Sequence, residues 1–189
     1  MAEVILAAPA AIAALLQLAD YGTRLASTLY RTAQSAAAAE QELDSLARRI
    51  LFFSTSVRVA RTALNRHCAE YPTSPVVLFI EHHRVLRDVK RGSKFIRRRL
   101  ADAENRLRGI HSNSALWMKI KWVLKRSSFL ELLPELDGFQ ANLNLLVSVA
   151  SLEALNCLKQ SGAAVSEEER LKLEDEWYVL LRLGMSFAY

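Results

Sequence analysis

The chain has few of the residues that make tight turns and few large rings. Its 189 residues include 6 glycines and 4 prolines, and aromatic residues make up 8% of the total. An all-β fold needs many turn residues between short strands, so that class is excluded. With 51% apolar residues, the core must be built mainly from Ala, Leu, Val and Ile. This composition predicts closely packed helices, and the length fits a single domain.

The motifs of common enzyme and cofactor sites are also missing. The glycines are isolated, so the sequence has neither a GxxxxGKS phosphate loop nor a GxSxG nucleophile turn. Cys68 and Cys157 fall within apolar helical patterns and are interpreted as buried thiols in a reducing compartment. Adjacent His82 and His83 point about 100° apart on a helix, so we interpret Glu81-His82-His83 as polar positions at a helix start. We predict no catalytic, cofactor or metal site and no small-molecule substrate.

Apolar residues at steps of three and four predict two long helices at the start of the chain. The first covers roughly residues 4–34. The second contains an unbroken apolar seam at Ala36, Ala39, Leu43, Leu46, Ile50, Phe53, Val57, Ala60 and Leu64. Such a seam predicts coiled-coil-like packing. The apolar run Val4–Ala19 is interrupted by Pro9 and Gln17 and is shorter than the ~18 to 20 residues of a membrane-spanning helix, so no integral anchor is predicted.

The second half of the chain predicts three or four more helices. Tyr71-Pro72-Thr73-Ser74-Pro75 is the sharpest turn signal, and a long third helix follows from about Val76 to Arg108, with Gly109 as its C-cap. Its packed face comprises Leu78, Val85, Val89, Ile96, Leu100, Ala103 and Leu107. A fourth helix is predicted at Ala115–Arg126, and Pro134 is interpreted as a break before a long helix that ends near Ser161-Gly162.

Beyond that glycine, Ser166-Glu-Glu-Glu169 has the form of a capping box and predicts a final helix through Leu173, Trp177 and Leu180. The fold class is therefore an all-α bundle of five or six helices, with long second and third helices. We place the bundle at residues 1–160 and an accessory helix or linker at 161–189.

Positive charge is concentrated in the middle of the chain. Residues 81–126 hold 14 of the 25 Lys and Arg but only four acids. Opposite the packed face of the third predicted helix lies what we call the cationic stripe, formed by Arg84, Arg87, Arg91, Lys94 and Arg98. The stripe is interpreted either as a solvated outer face or as a surface for an anionic partner. Near an anionic leaflet each such cation contributes ~1 kcal/mol.

Nucleic acid would attract the same cations. The stripe has no Asn or Gln for reading bases and belongs to no recognisable helix-turn-helix, which disfavours sequence-specific DNA binding. Trp117 and Trp122, five residues apart, face different directions on one helix, so at least one is expected in the core.

Three parts of the chain resemble the HeLo-like N-terminal domains of fungal NOD-like (STAND) receptors and fungal cell-death proteins. Residues 1–19 look like the Ala- and Leu-rich first helix of that group, and the seam around Leu43, Leu46 and Ile50 looks like its long second helix. The stretch Lys-Trp-Val-Leu-Lys-Arg at 121–126, followed by a Leu-rich segment at 136–146, is similar to a run that members of the group often show. The resemblance covers roughly residues 1–160.

The resemblance implies a non-enzymatic signalling or cell-death effector domain that acts through protein contacts. In some relatives the first helix is exposed and attacks the plasma membrane after oligomerisation. Here the inserting residues would be Ile5, Leu6, Ile12, Leu15 and Leu16, and the cationic stripe would contact anionic lipid. Pro9 and Asp20 oppose a continuous inserting helix.

We expect a protein partner or self-association, an anionic membrane as a further partner, and no nucleic acid. The expected location is the cytoplasm, with recruitment to the plasma membrane. Two alternatives remain open: a structural adaptor that pairs with another helical protein, and a basic nucleic-acid-binding module.

Overall fold

A computed structural model describes residues 7–35, 40–108 and 115–160 of the chain. Within these ranges the protein consists of five α-helices and has no strand, which confirms the predicted all-α bundle. The helices are α1 (Ala7–Ser35), α2 (Glu40–Glu70), α3 (Pro75–His82), α4 (Val85–Arg108) and α5 (Ala115–Gln160). The final helix predicted after Ser166, the cap at Gly109 and the end near Ser161-Gly162 lie outside the described residues.

The first two helices pack along each other and form the centre of the core. The predicted seam of α2 is confirmed from Leu43 to Leu64, where every seam residue is buried. On α1 the buried partners recur at helical spacing: Ile12, Leu15, Leu18, Leu25, Ala26 and Leu29. Gly22 permits close approach of the two helices, because a Cβ there would collide with the hydroxyl of Ser54. Helix α4 covers the other side of α1, and α5 packs on α2 and α4.

The long third helix of the sequence prediction is wrong, because it is two helices. Ser74 caps α3, its hydroxyl accepting from the Val77 N–H at 3.2 Å, and α3 ends at His82. Arg84 then adopts a left-handed φ of 56°, which interrupts the helix, and α4 begins at Val85. The break places Ile80 and Leu86 together with Ala11 in a small second cluster. It also leaves Leu78, predicted to pack, 53% exposed.

The predicted break at Pro134 is also wrong. Helix α5 runs unbroken through it, so the predicted fourth helix and the long helix after it are one element of 46 residues. Pro134 lies on the solvent side together with half-exposed Leu130, where water can satisfy the carbonyl that the proline leaves without a donor. Leu132, Leu133 and Leu136 beside it are buried and hold both halves of the helix on the core. Five described helices thus agree with the predicted number although the chain is divided differently.

Candidate interaction surfaces

The cationic stripe lies on the outer surface of α4. All five of its side chains are exposed, while Leu86, Ile96, Leu100, Ala103 and Leu107 on the opposite side of α4 are buried. Arg87, Arg91, Lys94 and Arg98 follow one another at steps of four, three and four residues and therefore share a face. Arg84 was predicted to lie on the same helix, but it precedes α4. It therefore lies in the break between α3 and α4, next to the other four cations in sequence.

Most of the stripe carries uncompensated charge. Arg91 lies 3.6 Å from Asp88, and both side chains are about 70% exposed, so this ion pair is weak. Among the described residues, Arg87, Lys94 and Arg98 have no carboxylate within ion-pair distance. Two neighbouring cations off the stripe differ, since Arg99 Nε donates to Glu135 at 2.9 Å and Arg97 donates to Gln17 at 2.8 Å.

Exposed apolar side chains flank this charge. Phe95 is 53% exposed, one turn from Arg91 and Arg98 on α4. On α3, Leu78 and Phe79 are also more than half exposed, and the Phe79 ring contacts the His83 ring at a tilt of 42° with centroids 4.3 Å apart. The surface around the break therefore combines cations with apolar side chains that project into solvent.

Glu81, His82 and His83 belong to this region. They lie at the C-terminal end of α3 and in the break, not at a helix start as predicted. The two histidine rings touch edge to face at 4.8 Å, and both are exposed. The described part of the chain contains no group of three His, Cys, Asp or Glu side chains that could hold a metal ion.

The residues proposed to insert into a membrane are mostly in the core. Ile12 and Leu15 are buried in the core, and Leu16 is half-buried. Ile5 and Leu6 lie outside the described residues. Pro9 falls in the first described turn of α1, where its missing N–H costs little. Asp20 is paired with Arg58 at 2.9 Å. Among the helices described here, none is both long and apolar enough to span a bilayer.

A second exposed surface, which we call the α5 outer face, has the opposite character. It consists of Leu130, Pro134, Gly138, Ala141, Leu145, Val149 and Leu152, all exposed. Leu145 reaches 65% exposure and Leu152 reaches 50%. The sequence contains no Lys or Arg from residue 127 to residue 158. This face was not predicted from the sequence, although its steps of four, four, three, four, four and three residues are a second apolar seam parallel to the buried one.

A buried polar cluster joins the ends of α2, α3 and α5. His67 Nε2 lies 2.9 Å from Glu153 Oε2, and the backbone N–H of Val76 donates to Glu153 Oε1 at 2.9 Å. Burial raises the pKa of Glu153, but hydrogen bonds from Ser74, Val76 and His67 outweigh it, so its pKa is lowered. This cluster was not predicted from the sequence. The signal was a histidine at the seam position three residues after Leu64, because a polar residue in a seam requires a buried partner.

The N-terminal part of α5 is fastened to α2 by a tryptophan. Trp122 is buried, its indole N–H donates to Glu42 at 2.8 Å, and Arg126 binds the other oxygen of Glu42 at 3.1 Å. This confirms the expectation that at least one of the two tryptophans is in the core, while the side chain of Trp117 lies outside the described residues. A cleft of about 300 Å³ lies beside this contact, between α2 and α5.

The two thiols are less buried than predicted. Cys68 and Cys157 are both half-buried and free. Burial, together with the charge of Glu81, raises the pKa of the Cys68 thiol, which disfavours the reactive thiolate.

The described fold defines an all-helical bundle with one cationic and one uncharged apolar outer face. No family model, no curated protein and no solved structure matches the chain. The candidate surfaces are therefore interpreted from their own chemistry.

Proposed function

We propose that this bundle is a non-enzymatic signalling or cell-death effector domain of the HeLo-like type, which works in the cytoplasm and is recruited to anionic membrane. Its partners are other proteins or further copies of itself, and oligomerisation precedes its action. The sequence resemblance supports the type of domain. The exposure of the cationic stripe supports the membrane step and is the observation that carries the proposal.

The stripe is suited to an anionic surface for two reasons. Its cations are exposed and mostly unpaired, so they can approach lipid phosphates without first breaking an ion pair. At ~1 kcal/mol for each cation, five of them supply several kcal/mol of attraction to an anionic leaflet. Phe79 and Phe95 project beside them and would enter the boundary between headgroups and acyl chains.

Membrane attack by the first helix would be a separate, later step. Ile12 and Leu15 are in the core, so their insertion requires that α1 leave its contacts with α2 and α4. That rearrangement exposes the centre of the core, so oligomerisation must shelter the surfaces it uncovers. Recruitment by the stripe needs no such rearrangement, so binding and leakage are separable events.

The test uses liposomes with and without phosphatidylserine, and measures binding by flotation and leakage by dye release. The variant changes four stripe residues to Gln: Arg87, Arg91, Lys94 and Arg98. A matched control removes the same charge from four exposed arginines of α1 and α2: Arg24, Arg31, Arg48 and Arg58. We expect the wild type and the control to bind anionic liposomes and the stripe variant to lose binding. Equal binding by all three proteins contradicts the proposal.

Two rivals give different results in the same experiment. Nucleic-acid binding by the stripe predicts an affinity that falls steeply with salt and no leakage of lipid vesicles. The adaptor hypothesis predicts no lipid binding at all. It is favoured by one specific observation, the uncharged α5 outer face, which is suited to another helix.

A further inference from the structure

The α5 outer face lacks the charge that a solvent-facing helix surface normally carries. Exposed faces of bundle helices are usually charged or polar, and large exposed apolar patches mark contact sites. From Leu130 to Leu152 this face spans ~33 Å at 1.5 Å per residue. Along it, three large apolar side chains are 42% to 65% exposed at the spacing of one helix stripe: Leu145, Val149 and Leu152.

The chemistry of this face fits a protein better than a membrane. Helices that lie on an anionic bilayer carry Lys and Arg beside an apolar face and often place aromatic rings in it. Between residues 127 and 158 there is no Lys or Arg, and no member of the α5 outer face is aromatic. The exposed carboxylate of Glu131 beside the face would be repelled by anionic lipid, while Asp137 is paired with Arg49 of α2 at 2.9 Å. The occupant must therefore be another apolar helix.

The distribution of large and small residues along the face identifies that helix. The N-terminal part has the small residues Gly138 and Ala141, and the C-terminal part has Leu145, Val149 and Leu152. A Cβ added at Gly138 would have no atom within 4 Å, so the space above it is open. Gly138 and Leu145 are seven residues apart, or ~10 Å along the axis. A two-fold axis near Ala141 therefore places Leu145 of each copy above Gly138 of the other.

We infer that two copies of this chain pair through the α5 outer face, with their α5 helices antiparallel about a two-fold axis near Ala141. Such an interface is self-complementary, as a two-fold contact must be. It brings no cations together, whereas pairing through the stripe would oppose five cations with five. This inference rests on the oligomerisation step of the proposed function and assigns a surface to it. A contact of one helix face is small, so we expect a dissociation constant on the order of micromolar.

The first test measures the oligomeric state of the full chain by sedimentation velocity over a wide concentration range. Two variants address the two halves of the contact. Leu145→Glu removes the projecting side chain, and Gly138→Leu fills the open space at a position where an added Cβ has no atom of its own copy within 4 Å. A matched control, Leu78→Glu, changes a leucine on α3 that is 53% exposed, against 65% for Leu145. We expect a concentration-dependent dimer for the wild type and for the control, and a dissociation constant at least tenfold higher for both α5 variants.

Gly138→Leu also shows whether a loss of dimerisation results merely from unfolding of the variant. It replaces a helical glycine at an open position, so its thermal midpoint should equal or exceed that of the wild type. A folded variant that no longer dimerises supports the inference. A Gly138→Leu protein that dimerises as well as the wild type overturns it.

The second test locates the axis by cross-linking. In a Cys68→Ser, Cys157→Ser background, Ala141→Cys would lie close to its own copy in the partner, so a short bis-maleimide should join two chains. Thr62→Cys, exposed on α2, is the control and should give no dimer. A wild type that is monomeric at every concentration, or cross-links equal to the control, overturns the inference and leaves the face to residues 161–189 or to a different protein.

Lipid binding measured on the same variants separates this inference from the proposed function. The stripe is intact in all of them, so recruitment to anionic liposomes should persist in the Leu145→Glu protein. Failure of dimerisation with lipid binding retained overturns only the α5 contact. Dimerisation without lipid binding overturns only the membrane proposal.

Discussion

The outer faces of α4 and α5 belong to neighbouring helices and differ in almost every physical property. The inner faces of both helices contribute leucine-rich rows of apolar side chains to the same core. Outside, α4 presents the four stripe cations that follow Arg84, while the α5 outer face presents leucine, valine, alanine, glycine and one proline. The core residues therefore show only that the two helices pack in the same bundle. Information about partners is contained in the outer faces, and each face suits a partner that the other does not.

The largest expected effect is the loss of lipid binding when the cationic stripe is neutralised. At ~1 kcal/mol for each cation, changing Arg87, Arg91, Lys94 and Arg98 to Gln should weaken partitioning onto anionic vesicles by up to about 10³-fold. Replacing Leu145 and Leu152 with Gln should change partitioning less than about twofold. Titration of both proteins with phosphatidylserine vesicles checks this, and similar losses in the two proteins would show that the faces do not have separate partners.

The next largest effect concerns Glu153, whose contacts with α2 and α3 fix how α5 is rotated. Glu153→Ala leaves His67 and the Val76 N–H without their buried acceptor, which should lower the free energy of unfolding by about 3 kcal/mol. Urea denaturation measures the change. Glu131→Ala, an exposed carboxylate on the outer side of α5, is the control and should stay within about 0.5 kcal/mol of the wild type.

The same carboxylate makes stability depend on acid. The folded state lowers the pKa of Glu153, so its contribution is complete above the ordinary glutamate pKa of about 4.3. That contribution is lost as pH falls from there through the lowered pKa. We expect the difference in stability between wild type and Glu153→Ala to shrink as pH falls below about pH 4. A difference that does not change with acid would contradict the assigned contacts.

A matched pair of glycines tests which sides of α4 and α5 face inward. A Cβ at Gly92 on α4 would lie 2.7 Å from Cε2 of Phe139, whereas one at Gly138 on α5 would meet nothing within 4 Å. Both changes to Ala favour the helix by up to about 1 kcal/mol. Gly138→Ala should therefore raise the thermal midpoint, and Gly92→Ala should lower it, because crowding costs about 1 to 3 kcal/mol. Midpoints that rise in both would place the Gly92 face outside the bundle.

Periodicity predicted the helices well and their breaks poorly. The seam of α2 is confirmed because steps of three and four residues follow directly from helical geometry. The break at Arg84 was not predicted because no glycine or proline marks it in the sequence. Arg84 itself has the left-handed φ of 56°, and the break accompanies the packing of Ile80 and Leu86 on Ala11, which the sequence pattern does not show. At Pro134 the local signal was real but weaker than the burial of the leucines on both sides.

Of the candidate surfaces, too, only some could be predicted from the periodicity of the sequence. Exposure of the stripe followed from the alternation of apolar and cationic residues, which the sequence displays directly. The contact of His67 with Glu153 joins residues 86 positions apart, so periodicity along one helix contains no information about it. The α5 outer face was overlooked because only one apolar row of this helix was followed in the sequence, whereas Leu130, Leu145 and Leu152 form a separate row that the packing leaves exposed.

The smallest expected effect comes from single substitutions of two adjacent arginines of α4, which test where the lipid-binding surface ends. Arg98 is exposed on the stripe, whereas Arg99 is directed toward α5 and donates to both oxygens of Glu135 at 3.2 and 2.9 Å. Arg98→Gln should weaken binding to anionic vesicles about fivefold, for a loss of ~1 kcal/mol, and leave stability unchanged.

Arg99→Gln should have the reverse profile, because its charge is already compensated by Glu135. Its ion pair is about one-third exposed, so the loss in stability should not exceed about 1 kcal/mol. Vesicle titration and urea denaturation of the two single variants measure both quantities. If Arg99→Gln weakens lipid binding as much as Arg98→Gln, total positive charge rather than the exposed stripe determines the attraction, and the boundary between the two faces has no functional meaning.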